Sequence, residues 1–252
     1  MVDPLLAGAA AAAGFVGGVM NALAGGGTFA TMPTLVALGL PSPIANATSN
    51  VALQPGAFAS AWAYRAGLRP IAGMGVPALA IITFVGGAIG GMLLAATSER
   101  TFDVIVPWLL LLATLVLAIG PRASDWLHDR VAIGRRTLVV VQMLIGIYGG
   151  YFGGGVGLMM VAAWGLLSGV APHGLAGSRT LMLALANSAA MIVFIASGMV
   201  AWEPAVPMLI GSTAGGYFGA RIGRALAPRW IRLWTLLVTA AMTAIFFVRA
   251  YS

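Results

Sequence analysis

An uncharged run of the chain, residues 4–64, reads PLLAGAAAAAGFVGGVMNALAGGGTFATMPTLVALGLPSPIANATSNVALQPGAFASAWAY. It is about three times as long as the roughly 20 apolar residues that cross the hydrocarbon core of a bilayer. Two further runs, residues 70–98 and 137–178, also lack Asp, Glu, Lys and Arg. A single soluble core does not fit such runs, so the sequence predicts an all-α polytopic membrane protein surrounded by lipid bilayer.

The composition points in the same direction. Hydrophobic residues make up 60% of the chain and charged residues 8%, against about 25% charged residues in an ordinary soluble domain. The net charge of +7 comes from arginines in short gaps between apolar runs, so we predict topological charge and no nucleic-acid partner. The chain has no cysteine and no hydrolase, metalloprotease or phosphate-loop motif, so we predict neither an enzyme nor a bound cofactor or metal.

Glycine and proline divide the apolar runs into ten predicted helical segments. The first five are 5–23, 28–40, 44–65, 71–97 and 102–120, and the second five are 137–152, 156–170, 174–200, 204–226 and 229–249. The polar gap PRASDWLHDRVAIGRR separates the two sets. The predicted organisation is therefore a first membrane repeat at 1–120, a cytoplasmic linker at 121–136 and a second membrane repeat at 137–252.

The second set of segments repeats the order of motifs found in the first. Five pairs keep nearly the same spacing: Gly14 with Gly146, Gly25 with Gly153, Gly39 with Gly169, Asn50 with Thr180, and Gly86 with Gly215. Single glycine matches carry little information in a chain this rich in glycine, but five in order indicate two homologous halves.

The second segment of each half is too short to cross a membrane. At 1.5 Å per residue, segments 28–40 and 156–170 span about 20 Å, short of the ~30 Å hydrocarbon core. Each follows a glycine triplet, so we predict a broken or re-entrant helical hairpin that returns to its starting side. About three spanning helices remain in each half, and this odd number inverts the second half relative to the first.

The arginines support this inverted arrangement. One side then collects Arg65, Arg69, Arg122, Arg130, Arg135, Arg136, Arg221, Arg224, Arg229 and Arg232, and the other side holds Arg100 and Arg249. If the segment before each triplet crossed the membrane instead, about seven arginines would lie on one side and five on the other. The positive-inside rule favours the arrangement with ten arginines on one side and two on the other. This arrangement places the linker in the cytoplasm and both termini on the outer side of a bacterial inner membrane.

The glycine triplets are the first candidate site. One interpretation is close helix packing, since small residues let backbones approach. The other is a pair of broken helices whose next helices, starting at Thr28 and Val156, present free N–H groups to an anion. Two breaks at corresponding places favour a substrate site. The candidates are Gly25, Gly26, Gly27, Thr28, Gly153, Gly154 and Gly155.

A second candidate is a set of polar side chains inside apolar segments: Asn46, Thr48, Ser49, Asn50 and Gln54, and in the second half Ser178, Arg179, Thr180 and Asn187. The spacing 46, 50 and 54 places three carboxamides on one helix face. These groups could either join helices by hydrogen bonds or line a substrate path.

Arg179 is the charged member of this set. A charge inside a membrane segment costs at least ~2.5–3.5 kcal/mol. Arg179 lies about one turn inside its segment, so its side chain could reach the cytoplasmic interface. The alternative, which we favour, is a fixed cation that binds a carboxylate, sulfonate or similar oxyanion.

The segment NALAGGGTFATMPTLVALGLPSPIANATSNVAL, residues 21–53, resembles the sulfite exporter TauE/SafE family of membrane transporters. The resemblance rests on Gly25 to Gly27, Pro33, Gly39 and the ANATS stretch that begins at Ala45. In the second half, GGYFGGGVGLMMV and LAGSRTLMLALANSAAMIVF are similar to the repeat of the family, although GSRT stands where the first half has ATSN.

The resemblance implies a secondary transporter that exports small sulfur-containing or organic oxyanions of the sulfite, sulfonate or sulfoacetate type. The alternative is an anion channel, or a permease of other small carboxylates. No acidic residue lies in the middle of a predicted segment, so a proton-relay carboxylate is missing. A homo-oligomer is compatible with all of these features.

Overall fold

The computed structural model describes residues 4–128, 135–168, 172–223, 225–226 and 228–251. In this part of the chain the first half contains α1 (Pro4–Ala24), α2 (Thr28–Ala37), α3 (Ser42–Ala63), α4 (Val76–Ala95) and α5 (Glu99–His128). The second half contains α6 (Arg135–Tyr151), α7 (Val156–Ser168), α8 (Ala176–Ala196), α9 (Trp202–Gly223) and α10 (Pro228–Tyr251). Each predicted segment corresponds to one of these helices.

Five of the described helices, α1, α4, α5, α8 and α10, are long and apolar enough to cross a membrane. Helices α3 and α9 each have 22 residues, which at 1.5 Å per residue gives about 33 Å, but they are less apolar. Most of α3 is buried against other helices, so its polar residues do not face the surface. The prediction of an all-α polytopic membrane protein is confirmed.

Helix α5 departs from the sequence prediction. It was expected to end near residue 120, but it continues through Pro121 to His128. Proline removes one backbone hydrogen bond and can kink a helix, yet it does not always end one. The predicted linker, 121–136, is therefore helical at both ends, and its centre, 129–134, lies outside the described residues, as do the predicted repeat partner Gly169 and Arg224.

The helices of the two halves pack against each other in a reciprocal pattern. Helix α1 packs along α9, and its counterpart α6 packs along α4. Helix α3 contacts both α8 and α9, while its counterpart α8 contacts both α3 and α4. Helices α5 and α10, the last of each half, pack on each other. Most of the interhelical packing therefore joins one half to the other.

Glycines make the two longest of these interfaces possible. Between α1 and α9, a side chain at Gly215 would overlap the backbone carbonyl oxygen of Phe15. Between α4 and α6, a side chain at Gly150 would overlap the carbonyl oxygen of Gly87. The close-packing interpretation of glycine therefore applies to these helix faces, which lie outside the glycine triplets.

Candidate functional site

Both glycine triplets interrupt helices where the sequence predicted. Helix α1 ends at Ala24 and α2 begins at Thr28, while α6 ends at Tyr151 and α7 begins at Val156. Gly25, Gly153 and Gly155 have φ angles of +78°, +79° and +77°, a region that residues with a side chain rarely adopt. The triplets thus provide the turns that end one helix and start the next.

Helix α2 folds back along α1 and forms a helical hairpin with it. The side chain of Thr31 lies beside Gly17, and the Asn21 Oδ1 accepts a hydrogen bond of 2.8 Å from the N–H of Gly27. The hydroxyls of Thr31 and Ser49 hydrogen-bond to each other and tie α2 to α3. The predicted hairpin is therefore present in the first half.

The two breaks meet each other inside the protein. A Cβ atom placed on Gly25 would lie 2.7 Å from the Cα of Gly157, in the first turn of α7. A Cβ atom placed on Gly153 would lie 3.4 Å from the Oγ1 of Thr28, the first residue of α2. Each break therefore touches the start of the helix that follows the other break. We call this region the break crossing.

Arg179 caps the C-terminal end of α1, the first broken helix. Its side chain is 8% exposed, and it donates from Nη1 to the carbonyl oxygen of Leu23 at 2.9 Å and from Nη2 to that of Ala22 at 2.8 Å. Both carbonyls lie in the last turn of α1, the negative end of its dipole. The guanidinium is thus turned into the protein, and its Nε–H has no acceptor among the described residues.

Asn46 closes the end of the second broken helix. Its Nδ2 donates to the carbonyl oxygen of Tyr151, the last residue of α6, at 3.0 Å. Each break is therefore held by a polar side chain from the opposite half, an arginine in one case and a carboxamide in the other. In both halves, a side chain from the opposite half therefore binds the carbonyl end of the broken helix, but the side chain is charged at α1 and neutral at α6.

Two further candidates are buried carboxamides whose oxygen atoms accept no hydrogen bond in the described part of the chain, Asn50 and Asn187. The Nδ2 of Asn50 lies 3.8 Å from the Cβ position of Gly153. Asn187 shares one face of α8 with Arg179, since the two are separated by about two turns. Asn50, Thr28, Arg179 and both triplets are therefore the candidates that surround the break crossing.

The remaining polar candidates are engaged in hydrogen bonds with backbone. Thr48 accepts from the N–H of Ala201 at 3.0 Å, and Gln54 donates to the carbonyl of Ala184 in α8 at 2.8 Å. Ser178 donates to the carbonyl of Arg69 at 2.8 Å. Thr180 bonds to the carbonyl of Ala176 within its own helix at 2.9 Å. Thr48, Gln54 and Ser178 therefore join separate helices and connections, whereas Thr180 bonds only within α8.

The sequence did not indicate three residues that shape the crossing. The ring of Phe29 lies against Gly154 and Gly155, and the hydroxyl of Tyr148 donates to the carbonyl of Gly154 at 2.7 Å. Asn21 caps the first triplet, as described above. Aromatic residues within apolar helices give no local signal of such contacts, whereas Asn21, a polar residue four positions before a triplet, could have been singled out.

The family model described as sulfite exporter TauE/SafE matches residues 10–246. The chain belongs to the TauE/SafE family. A probable membrane transporter protein of Haemophilus influenzae is 29% identical over 233 residues, 92% of this chain and 90% of that protein. The probable membrane transporter protein YfcA of Escherichia coli is also 29% identical, over 246 residues, 97% of this chain and 90% of that protein. No solved structure matches.

Family membership and the helices lead to the same general conclusion. The TauE/SafE match spans nearly the whole chain, and the relatives are described as membrane transporters. Five described helices can cross a membrane. The chain is a multi-pass membrane transporter of the TauE/SafE type.

Proposed function

We propose that this TauE/SafE transporter exports small sulfur-containing or organic oxyanions, which bind at the break crossing. The observation that carries the proposal is the meeting of two helix starts, at Thr28 and Val156, inside the protein. The N–H groups at a helix start carry a positive partial charge that attracts an anion. At the start of α2 the N–H of Gly27 is bonded to Asn21 and that of Phe29 to Gly26, which leaves the N–H of Thr28, among the described residues, for an anion.

Side chains around the crossing can complete an oxyanion site. Arg179 provides a full positive charge, and its unpaired Nε–H is a remaining donor. The carboxamide of Asn50 is buried beside Gly153 and can donate through Nδ2. Hydrogen bonds to an ionised oxygen are shorter and stronger than neutral ones, so this combination favours sulfite, sulfonate or carboxylate over a neutral solute.

The reciprocal packing of the halves supports an inverted repeat with alternating access. Rocking of α1 with α9 against α4 with α6 would open the crossing to either side in turn, as in transporters built from inverted repeats. The cytoplasmic side of the inner membrane is electrically negative. Export of each unit of negative charge is therefore favoured by a free energy of ~2.3 kcal/mol per 100 mV of membrane potential. Export then needs no proton partner and no intramembrane carboxylate.

Transport in proteoliposomes tests the proposal. Purified protein is reconstituted with sulfite, sulfoacetate, taurine or acetate inside, and efflux is followed at an imposed potential, with protein-free liposomes as the control. We expect saturable efflux of at least one sulfur oxyanion that is accelerated by the same anion on the other side. Efflux that rises linearly with concentration and shows no counter-transport favours the channel alternative, and no efflux of any anion overturns the proposal.

A further inference from the structure

Two buried N–H donors without an acceptor meet at the end of α1. Among the buried side-chain nitrogen atoms of the described residues, Nδ2 of Asn21 and Nε of Arg179 are the two that make no hydrogen bond. The two side chains are 3% and 8% exposed. Asn21 lies in the last turn of α1, and Arg179 binds the carbonyls of Ala22 and Leu23 in that same turn. The two unpaired donors therefore come from opposite halves and lie at one helix end.

The orientation of the Asn21 carboxamide is fixed by its bond to the backbone. The N–H of Gly27 can only donate, so its partner at 2.8 Å is the oxygen atom Oδ1 of Asn21. The nitrogen atom Nδ2 is bonded to the same carbon as Oδ1, so it also lies beside Gly27, the residue that caps the start of α2. A buried donor without an acceptor costs about 1–3 kcal/mol. The unpaired Nδ2 therefore indicates a hydrogen-bond acceptor that binds at the start of α2.

The backbone offers a further donor next to this carboxamide. The N–H of Thr28, the first residue of α2, has no acceptor in the part of the chain that the structure describes. Helix α2 has ten residues, and its start carries a positive partial charge. The groups left unpaired here are all donors, and the charged one is a cation. A ligand that only accepts hydrogen bonds and carries negative charge satisfies them.

The second break has no residue equivalent to Asn21. Asn21 stands four positions before Gly25, and the residue four positions before Gly153 is Gly149. The Cβ position of Gly149 lies 3.1 Å from the side chain of Val156, the first residue of α7. Gly149 therefore has neither a carboxamide with which to cap α7 nor room for one. The two breaks are related in backbone geometry, but this donor is present at the first break alone.

We propose that Nδ2 of Asn21 is a substrate ligand that, together with the N–H of Thr28, binds an oxyanion group beside the guanidinium of Arg179. This inference rests on the export function proposed above, and it assigns the charged group of the substrate to the first of the two breaks. An ionised sulfonate, sulfite or carboxylate group presents oxygen atoms that accept hydrogen bonds, which matches a site formed by donors.

Binding of methanesulfonate to the purified full chain, measured by isothermal titration calorimetry, tests this assignment. Methanesulfonate is ionised at neutral pH and carries a single oxyanion group, and we expect saturable binding by the wild-type protein. Asn21→Ala removes the donor and should weaken binding by roughly ten- to a hundredfold. Asn21→Asp keeps an oxygen atom for the N–H of Gly27 but replaces the donor with a negatively charged acceptor, so binding should be lost.

Thr31→Val is the matched control, because it loosens the same turn without removing a donor from the proposed site. The hydroxyl of Thr31 bonds to the carbonyl of Gly27 and to the hydroxyl of Ser49. Its loss should lower the midpoint of thermal unfolding, as Asn21→Ala does, but leave the affinity for methanesulfonate unchanged. The pair separates a donor to the substrate from a cap that only supports the turn.

Wild-type affinity in Asn21→Ala overturns the inference, because Nδ2 would then not contact the anion. Equal weakening by Asn21→Ala and Thr31→Val also overturns it, since the shape of the turn would then determine the affinity. No binding of methanesulfonate by the wild-type protein has the same consequence. Failure of the export proposal gives a different result. In that case methanesulfonate binding depends on Asn21 as described, but proteoliposomes show no efflux of any anion.

Discussion

The Nη1 of Arg179 lies 2.9 Å from the carbonyl oxygen of Leu23, a residue 156 positions earlier in the chain. This hydrogen bond joins the second half of the transporter to the broken helix of the first half. It gives Arg179 a role in holding α1 in place, in addition to the proposed role of its charge in attracting an anion. The two roles can be separated by measuring stability and affinity in the same variants.

Arg179→Ala should lower both the thermal stability and the affinity for a sulfonate. The variant leaves the carbonyls of Ala22 and Leu23 without donors, and hydrogen bonds to charged groups contribute about 1.5–3 kcal/mol each. The affinity should fall by roughly ten- to a hundredfold if the charge also attracts the substrate. Arg179→Lys keeps the charge and loses the planar fork, so both values should be intermediate. Thermal shift and equilibrium binding on purified protein provide the two measurements.

Arg65→Ala is the matched control for this pair. Arg65 also donates to a backbone carbonyl, that of Trp62 at 2.8 Å, but it does so at the exposed surface. Its loss should change the stability little. If Arg179→Ala were as stable as Arg65→Ala, the hydrogen bonds from Arg179 to the last turn of α1 would not contribute to the stability. Equal sulfonate affinities in the wild-type protein and in the Arg179→Lys and Arg179→Ala variants would remove Arg179 from the substrate site.

Local features of the sequence were sufficient to predict the helix breaks, but not what surrounds them. Helices α1 and α6 end within one or two residues of a glycine with positive φ, because such a backbone conformation cannot continue a helix. Helices α2 and α7 then begin directly after the two glycine triplets. The partner of Arg179 could not be predicted, since it lies in another helix of the opposite half. The predicted end of α5 was wrong because the polar gap that begins at Pro121 was taken to end the helix at residue 120, whereas the helix continues to His128.

Gly154→Ala should reduce transport, and Phe29→Leu should restore part of it. A Cβ atom on Gly154 would lie 2.7 Å from the ring of Phe29 and 2.6 Å from the ring of Phe152, so an added methyl group pushes the break crossing apart. A leucine at position 29 is smaller than phenylalanine and relieves one of these contacts. Initial transport rates of both single variants and the double variant give the coupling between the two positions.

A double variant no more active than Gly154→Ala would mean that the Phe29 contact does not limit transport. The larger Gly154→Leu and Gly26→Leu should abolish transport while leaving membrane insertion largely intact. Wild-type activity in both would remove the functional role of the triplets.

Gly215→Ala should destabilise the transporter, whereas Gly8→Ala should not. The added Cβ at position 215 would overlap the carbonyl oxygen of Phe15 and force α9 away from α1, at a cost of typically about 1–3 kcal/mol. Nothing lies within 4 Å of the Cβ position of Gly8, which is also in α1, and alanine favours the helix there by roughly 0.5–1 kcal/mol. Thermal unfolding in one detergent compares them, and equal midpoints would contradict the close contact between α1 and α9.

Cysteine labelling in intact cells tests the inverted topology, and the natural chain has no cysteine that would interfere. Ser98 lies in the connection between α4 and α5, and Ala66 in that between α3 and α4, and both are exposed. The inverted arrangement places the first outside the cell and the second in the cytoplasm. An impermeant maleimide should therefore label Ser98→Cys and leave Ala66→Cys unlabelled until the membrane is permeabilised. Asp129→Cys, in the centre of the predicted linker, should behave like Ala66→Cys.

The labelling result also shows on which side of the membrane most of the arginines lie. Ten of the twelve arginines other than Arg179 share the side of Ala66 in the inverted arrangement, so labelling of Ala66→Cys or Asp129→Cys from outside would place most of the positive charge in the periplasm, against the positive-inside rule. Such a result would reject the predicted orientation, with the linker in the cytoplasm and both termini outside. The hairpins themselves are tested by Ala225→Cys, between α9 and α10, because this position shares the side of Ala66 only if each hairpin returns to its starting side.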